Sequence, residues 1–167
     1  MVMKSQFAAD RSKALVVSKN WDVLSDFTEY LPEFDIPFLF ADSLKAVPYG
    51  FLSDYQPSYV FVSIDDFGGP TFVYDQLRDL RHNMPNTAVI LVSSEFAVDE
   101  YGTHRLSLAD VSLRLPFSKS SLLLALNQAP VNLLAWRQRV ASQAHSPTTL
   151  DVNDQEVLTR RSAFAAS

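Results

Sequence analysis

Tyr59-Val60-Phe61-Val62-Ser63-Ile64-Asp65-Asp66-Phe67-Gly68-Gly69 reads as a buried strand that runs straight into a glycine turn. A continuous apolar run of this length suits a strand covered on both faces. In a parallel α/β domain such a strand delivers its last residues to the functional edge of the sheet. Downstream, Pro70 suits the first turn of a helix reaching about Asn83, and Met84-Pro85-Asn86 stops it. Ala88-Val89-Ile90-Leu91-Val92 is the next apolar strand and ends in Ser93-Ser94.

The same alternation extends in both directions. Upstream, Ala14-Leu15-Val16-Val17 is a first strand, and Asn20 caps a helix in which Trp21, Leu24 and Phe27 or Thr28 recur at helical spacing. Pro37-Phe38-Leu39-Phe40-Ala41 reads as a second strand, with Ser43 capping a short helix after it. Downstream, a weak polar helix is expected within 97–107. Val111-Ser112-Leu113-Arg114-Leu115 follows as a fifth strand, and Ser118 caps a helix through Leu122, Leu123 and Leu126. Strands alternating with helices predict a doubly wound, five-stranded parallel α/β sheet with helices on both faces.

Composition narrows the function classes. The chain has 167 residues, enough for one full core and too few for two ordinary domains. It has no cysteine, which excludes a disulfide scaffold, a thiolate metal site and a cysteine nucleophile. A net charge of −5 argues against general nucleic-acid binding, which needs a basic face. No apolar run approaches the roughly 20 residues of a membrane span, and the first twelve residues do not read as a secretory signal. A cytoplasmic protein is the expectation. Val17-Ser18-Lys19-Asn20-Trp21 is not a glycine-rich phosphate cradle, so no nucleotide or flavin cofactor is expected. His82, His104 and His145 are too scattered for a metal site or a Ser63 triad, and no Gly-x-Ser-x-Gly elbow is present.

Taken in order, these strands resemble the bacterial response-regulator receiver family over residues 13–129. Ser93-Ser94 stands where that family has Thr or Ser followed by Ala. Leu115-Pro116-Phe117-Ser118 stands where it has Lys-Pro-Phe. The resemblance implies the flavodoxin-like strand order 2-1-3-4-5. It also implies that the phosphoacceptor aspartate falls at Ser63, the acidic metal-binding pair at Ser18-Lys19 and the lysine after strand five at Leu115. Of the usual set only the Ser93 hydroxyl remains. The reading that follows is a degenerate receiver: no enzyme, no bound metal, no cofactor, and a phosphorylation-independent protein–protein interaction role in signalling or transcription control. The alternatives are a rearranged phospho-switch that uses Asp65 or Asp66, and a small α/β enzyme that uses Ser63. The simpler reading of Asp65 and Asp66 is as hydrated turn residues before Gly68-Gly69, with Lys19 offsetting their charge.

The C-terminal third carries a second clue. Pro130 either starts a new helix or kinks a long one, giving a helical extension over 130–144. Leu133, Trp136 and Val140 share one helical stripe. It either folds back on its own domain or packs on a protein partner or a second copy. In the resembling family the usual partner face combines the fourth helix, the fifth strand and the fifth helix. The expected interaction surface is therefore Leu113, Phe117, Leu133, Trp136 and Val140. Residues 145–167 read as a polar tail, disordered or docking. Within it Leu150-Asp151-Val152-Asn153-Asp154-Gln155-Glu156-Val157-Leu158 faintly resembles the opening of a helix-turn-helix output domain, with too little chain after it for a whole one.

Overall fold

Three strands are buried at every position: β1 (Ala14–Val17), β3 (Tyr59–Ser63) and β4 (Ala88–Ser93). That burial requires layers on both sides of the sheet, and a computed structural model supplies them. It describes residues 11–105 and 107–145. The described residues of the N-terminal segment and of the tail are thus 11–12 and 145, and the helix-turn-helix-like stretch lies outside them. Between these strands come α1 (Trp21–Tyr30), β2 (Phe38–Ala41), α2 (Tyr49–Tyr55) and α3 (Pro70–Asn83), and β5 (Val111–Arg114) and α4 (Lys119–His145) follow β4. All neighbouring strands are parallel, in the order β2-β1-β3-β4-β5. Alternation along each strand splits the core. Val16, Phe61, Ile90 and Leu113 pack with α1 and α4, while Leu15, Val60, Val62 and Leu91 pack with α2 and α3. The chain divides into two compact units, one through Arg137 and one from Gln138.

Local chemistry accounts for the element ends. The Asn20 side chain accepts from the Asp22 N–H and caps α1. Ser43 caps a single 3-10 turn, Leu44–Ala46, and α2 itself starts only after Pro48. Ser118 Oγ accepts from the Ser121 N–H at the start of α4. Trp21 is 76% exposed, so the buried face of α1 is Val23, Leu24 and Phe27 and not a Trp21 stripe.

Pro130 lies inside α4, which is one helix and not two. A proline there has no N–H for the carbonyl four residues back, that of Leu126. The buried Tyr59 hydroxyl donates to that carbonyl instead, at 3.0 Å. The sheet thus repairs the gap that the proline leaves in the helix.

Two expectations are corrected. No helix forms among the described residues of 97–107. The stretch lacks an apolar face, and its backbone is used elsewhere: Glu100 and Ser112 exchange both N–H···O bonds in an antiparallel bridge. Asp99 Oδ1 accepts from the Arg114 N–H. The outer edge of β5 is therefore covered by its own loop. The expected partner face loses its helix, and Leu113, Phe117 and Leu133 are core residues, not surface residues. Trp136 is half-buried against the same core, and the Arg81 guanidinium lies 4.4 Å from its ring centre.

A buried polar cluster holds this end of the molecule. Arg81 donates through both terminal nitrogens to Asp110, at 3.1 and 2.8 Å, with both side chains almost fully buried. Asp110 also accepts from the Val89 N–H. Asn132 donates to the carbonyls of Asp110 and Tyr101, so α4 is tied to the loop that leads into β5.

Candidate functional site

Parallel strands in register bring their last residues to one edge. Val17 lies beside Val62, Ser63 beside Val92, and Ser93 beside Arg114. Ser18 and Lys19 after β1, Ser63 at the end of β3, Ser93 at the end of β4 and Leu115 after β5 therefore share the carboxyl edge. After β3 the chain makes a 3-10 turn, Ile64–Phe67. Ile64 buries its side chain and anchors the turn, and Gly68 and Gly69 close it at φ 83° and 95°, where side chains are strained.

That turn sends two adjacent carboxylates in opposite directions. Asp66 reaches β1: its Oδ2 accepts from Ser18 Oγ at 2.6 Å and from the Lys19 N–H at 2.9 Å. Asp65 reaches β4: it accepts from Ser93 Oγ in a short hydrogen bond, from the Ser94 N–H at 2.7 Å and from Ser94 Oγ at 2.8 Å. The two serines behave alike. Ser18 Oγ accepts from the Asn20 N–H, and Ser93 Oγ accepts from the Glu95 N–H, each at 3.0 Å. The result is a double latch joining the ends of β1, β3 and β4.

The Lys19 ammonium does not face the carboxylates. It lies 5.3 Å from the centre of the Phe67 ring, and its backbone N–H is what meets Asp66. An open cleft of about 400 Å³ lies beside the latch, with Ser63, Leu115 and Pro116 in its wall. The charged residues lining it are Asp22, Asp26 and Asp65, all acidic. Partial burial raises the Asp65 carboxyl, but the hydrogen bonds from Ser93 and Ser94 outweigh it and hold the group below its ordinary value. Asp26 shifts the other way: partial burial comes first, then its neighbours Glu29 and Asp22. Among the described residues, no group of three His, Cys, Asp or Glu is placed to hold a metal ion.

All five positions singled out at this edge are together, and Asp65 and Asp66 join them. Asp26 and the Ser94 side chain were not singled out in the sequence. Asp26 follows Asp22 by one helical turn, which is a signal that both acids face the same way.

No family model and no curated protein matches the sequence. Solved structures do. A response regulator from Thermotoga maritima aligns at 20% identity and TM-score 0.56, over 72% of this chain and 98% of that one. The signal receiver domain of an HD domain-containing protein from Pseudomonas fluorescens Pf-5 aligns at 21% and 0.57, over 77% and 93%. The beryllofluoride-activated NtrC4 receiver domain dimer aligns at 18% and 0.58, over 72% and 98%. With the five-stranded order β2-β1-β3-β4-β5, the fold of this chain is that of response-regulator receiver domains.

Proposed function

We propose that this chain is a receiver-fold module that takes up no phosphoryl group and acts by binding protein in signalling or transcription control. The observation that carries the reading is the double latch. Asp65 and Asp66, the only carboxylates in the turn after β3, are each held by two or more donors from a neighbouring strand end. Those bonds engage both oxygens of Asp65 and Oδ2 of Asp66 and tie each carboxylate to a neighbouring strand end. The cleft beside them favours no anion either, because its charged lining is entirely acidic. Ser63 and Leu115 stand where the resembling family places its acceptor and its lysine, and neither offers that chemistry. No helix among the described residues is long and apolar enough to cross a membrane.

The test is incubation with acetyl phosphate, or with beryllofluoride and magnesium, followed by intact-mass and spectroscopic measurement. No adduct is expected, and millimolar magnesium should leave Tm unchanged. A site with a Kd near ~0.1 mM would stabilise by roughly 2–3 kcal/mol at about 100-fold excess, so a real site would not be missed. A stoichiometric acid-labile adduct at Asp65 or Asp66 would replace this reading with a rearranged phospho-switch.

A further inference from the structure

Ser18, Ser63 and Ser93 stand at the carboxyl ends of neighbouring strands, and they differ in their bonds. Ser18 Oγ donates to Asp66, and Ser93 Oγ donates to Asp65. Ser63 lies between them, is 2% exposed, and has no hydrogen-bond partner for its Oγ. Among the described residues no fully covered side-chain oxygen or nitrogen lacks a partner, so this hydroxyl meets the cleft whose wall it forms. A nearly buried hydroxyl without a partner is a place where a ligand gains a hydrogen bond. The rest of the cleft says which ligand. Asp22, Asp26 and Asp65 line it, and no Lys, Arg or His does. The ion pairs of the described residues use none of these three carboxylates. Asp26 lies above its ordinary pKa, through partial burial first and then the charges of Glu29 and Asp22. The cleft is thus a set of like charges without a counter-ion.

We propose that this cleft receives a primary ammonium on an apolar stem, the group that a lysine side chain of a protein partner presents. An ammonium carries three donors and no acceptor, so one N–H meets Ser63 Oγ while the charge faces the carboxylates of Asp22, Asp26 and Asp65. Val23, Leu115 and Pro116 give the methylene stem an apolar wall. A guanidinium fits less well, because its planar fork matches two parallel acceptor oxygens and the wall offers one unpaired hydroxyl. A metal ion also fits less well: among the described residues no three His, Cys, Asp or Glu are placed to hold one. The chain's own Lys19 does not compete, since its ammonium lies against the Phe67 ring. The proposal rests on the reading above, that the cleft takes no phosphoryl group and the chain binds protein, and it names the chemistry of that contact.

The test titrates the full chain, at constant ionic strength and without magnesium or phosphodonor, and follows backbone amide NMR shifts. The probes are butylammonium, butanol, and the capped peptides Gly-Lys-Gly and Gly-Ala-Gly. Butylammonium and the lysine peptide should shift the amides of Ser63 and of the start of α1, and butanol and the alanine peptide should not. Tighter binding of the peptide than of butylammonium assigns the ammonium to a partner's lysine. The reverse order overturns that source and leaves a free alkylamine as the ligand. Ser63→Ala should weaken binding about tenfold, the loss of one hydrogen bond to a charged group. Asp26→Asn should weaken it about threefold. Asp54→Asn, the same change of charge on exposed α2, should leave it unaltered. If Ser63→Ala does not fold, the two aspartate variants decide. Shifts no larger than those from butanol overturn the proposal, as does an equal loss in Asp26→Asn and Asp54→Asn. A phosphoryl adduct in the separate acetyl phosphate experiment would sink the reading above and leave these titrations standing, and a failed titration would leave an adduct-free result intact.

Discussion

Buried Asp110 at one edge of the sheet and the pair Asp65 and Asp66 at the other do different work. At the amino edge, Asp110 is sealed with Arg81 under α4, away from water. At the carboxyl edge, Asp65 lines an open cleft, and both Asp65 and Asp66 are held by serine hydroxyls and backbone N–H groups, with no cationic side chain bonded to either among the described residues. In the first, a charge pair locks secondary elements together. In the second, two carboxylates in the turn just after Ser63 tie strand ends together. The contrast separates a structural ion pair, costly to break, from a polar latch that is cheap to break.

The largest effect expected from breaking this contrast is at the amino edge. Asp110→Ala leaves Arg81 buried without its carboxylate and should cost about 3–5 kcal/mol, read by denaturant or thermal melting. The double change Arg81→Met with Asp110→Leu removes both charges and should cost much less than either single change. If the single and double variants fall equally, packing and not charge holds this edge. A smaller effect is expected where β3 begins. Tyr59→Phe strands the Leu126 carbonyl that Pro130 cannot serve, and should cost about 1–3 kcal/mol. Adding Pro130→Ala restores an N–H for that carbonyl and should recover most of the loss. At the carboxyl edge, Asp65→Ala should cost only about 0.5–1.5 kcal/mol, since Ser94 is exposed to water and only the buried Ser93 hydroxyl must find another acceptor.

Much of this was legible in the chain. Ala14–Val17, Tyr59–Ser63 and Ala88–Ser93 are apolar throughout, and a strand buried on both faces has no other way to read. Asn20, Ser118 and Pro70 mark their helix starts by capping and proline chemistry that is local. What was not legible depends on distant partners. Arg81 and Asp110 are 29 residues apart, and nothing near either announces a buried pair. Leu133 and Trp136 read as an interface because an apolar stripe does not say which surface receives it. Asp65 and Asp66 read as ordinary turn acids because their opposite directions come from the 3-10 turn and not from their types. The polar stretch 97–107 read as a weak helix because strands and helices alternate elsewhere, whereas the uncovered edge of β5 decided its path.

The smallest effect sharpens the contrast through pH. Asp65 has a folded-state pKa below its ordinary value of about 4, because Ser93 and Ser94 hydrogen bonds outweigh its partial burial. Its stabilisation is therefore present above about pH 4 and is lost as pH falls through the depressed folded value. Asp26 has the opposite sign. Partial burial and its acidic neighbours raise its pKa, so its ionised form weakens the fold at neutral pH, and protonation on acidification removes that penalty. The wild-type acid profile carries both contributions alongside that of the buried Asp110, whose burial raises its pKa, and single variants separate them. Asp65→Asn should be less stable than wild type at pH 7 and converge with it in acid. Asp26→Asn should be slightly more stable at pH 7, and its advantage should vanish as pH falls to about 4. Paired thermal melts at pH 7, 5 and 3 measure both differences. An Asp65→Asn curve parallel to wild type across that range would mean that the β4 side of the latch contributes nothing through its charge. The serine hydroxyls alone would then hold the strand ends, and the contrast with the Arg81–Asp110 pair would rest on packing rather than on charge.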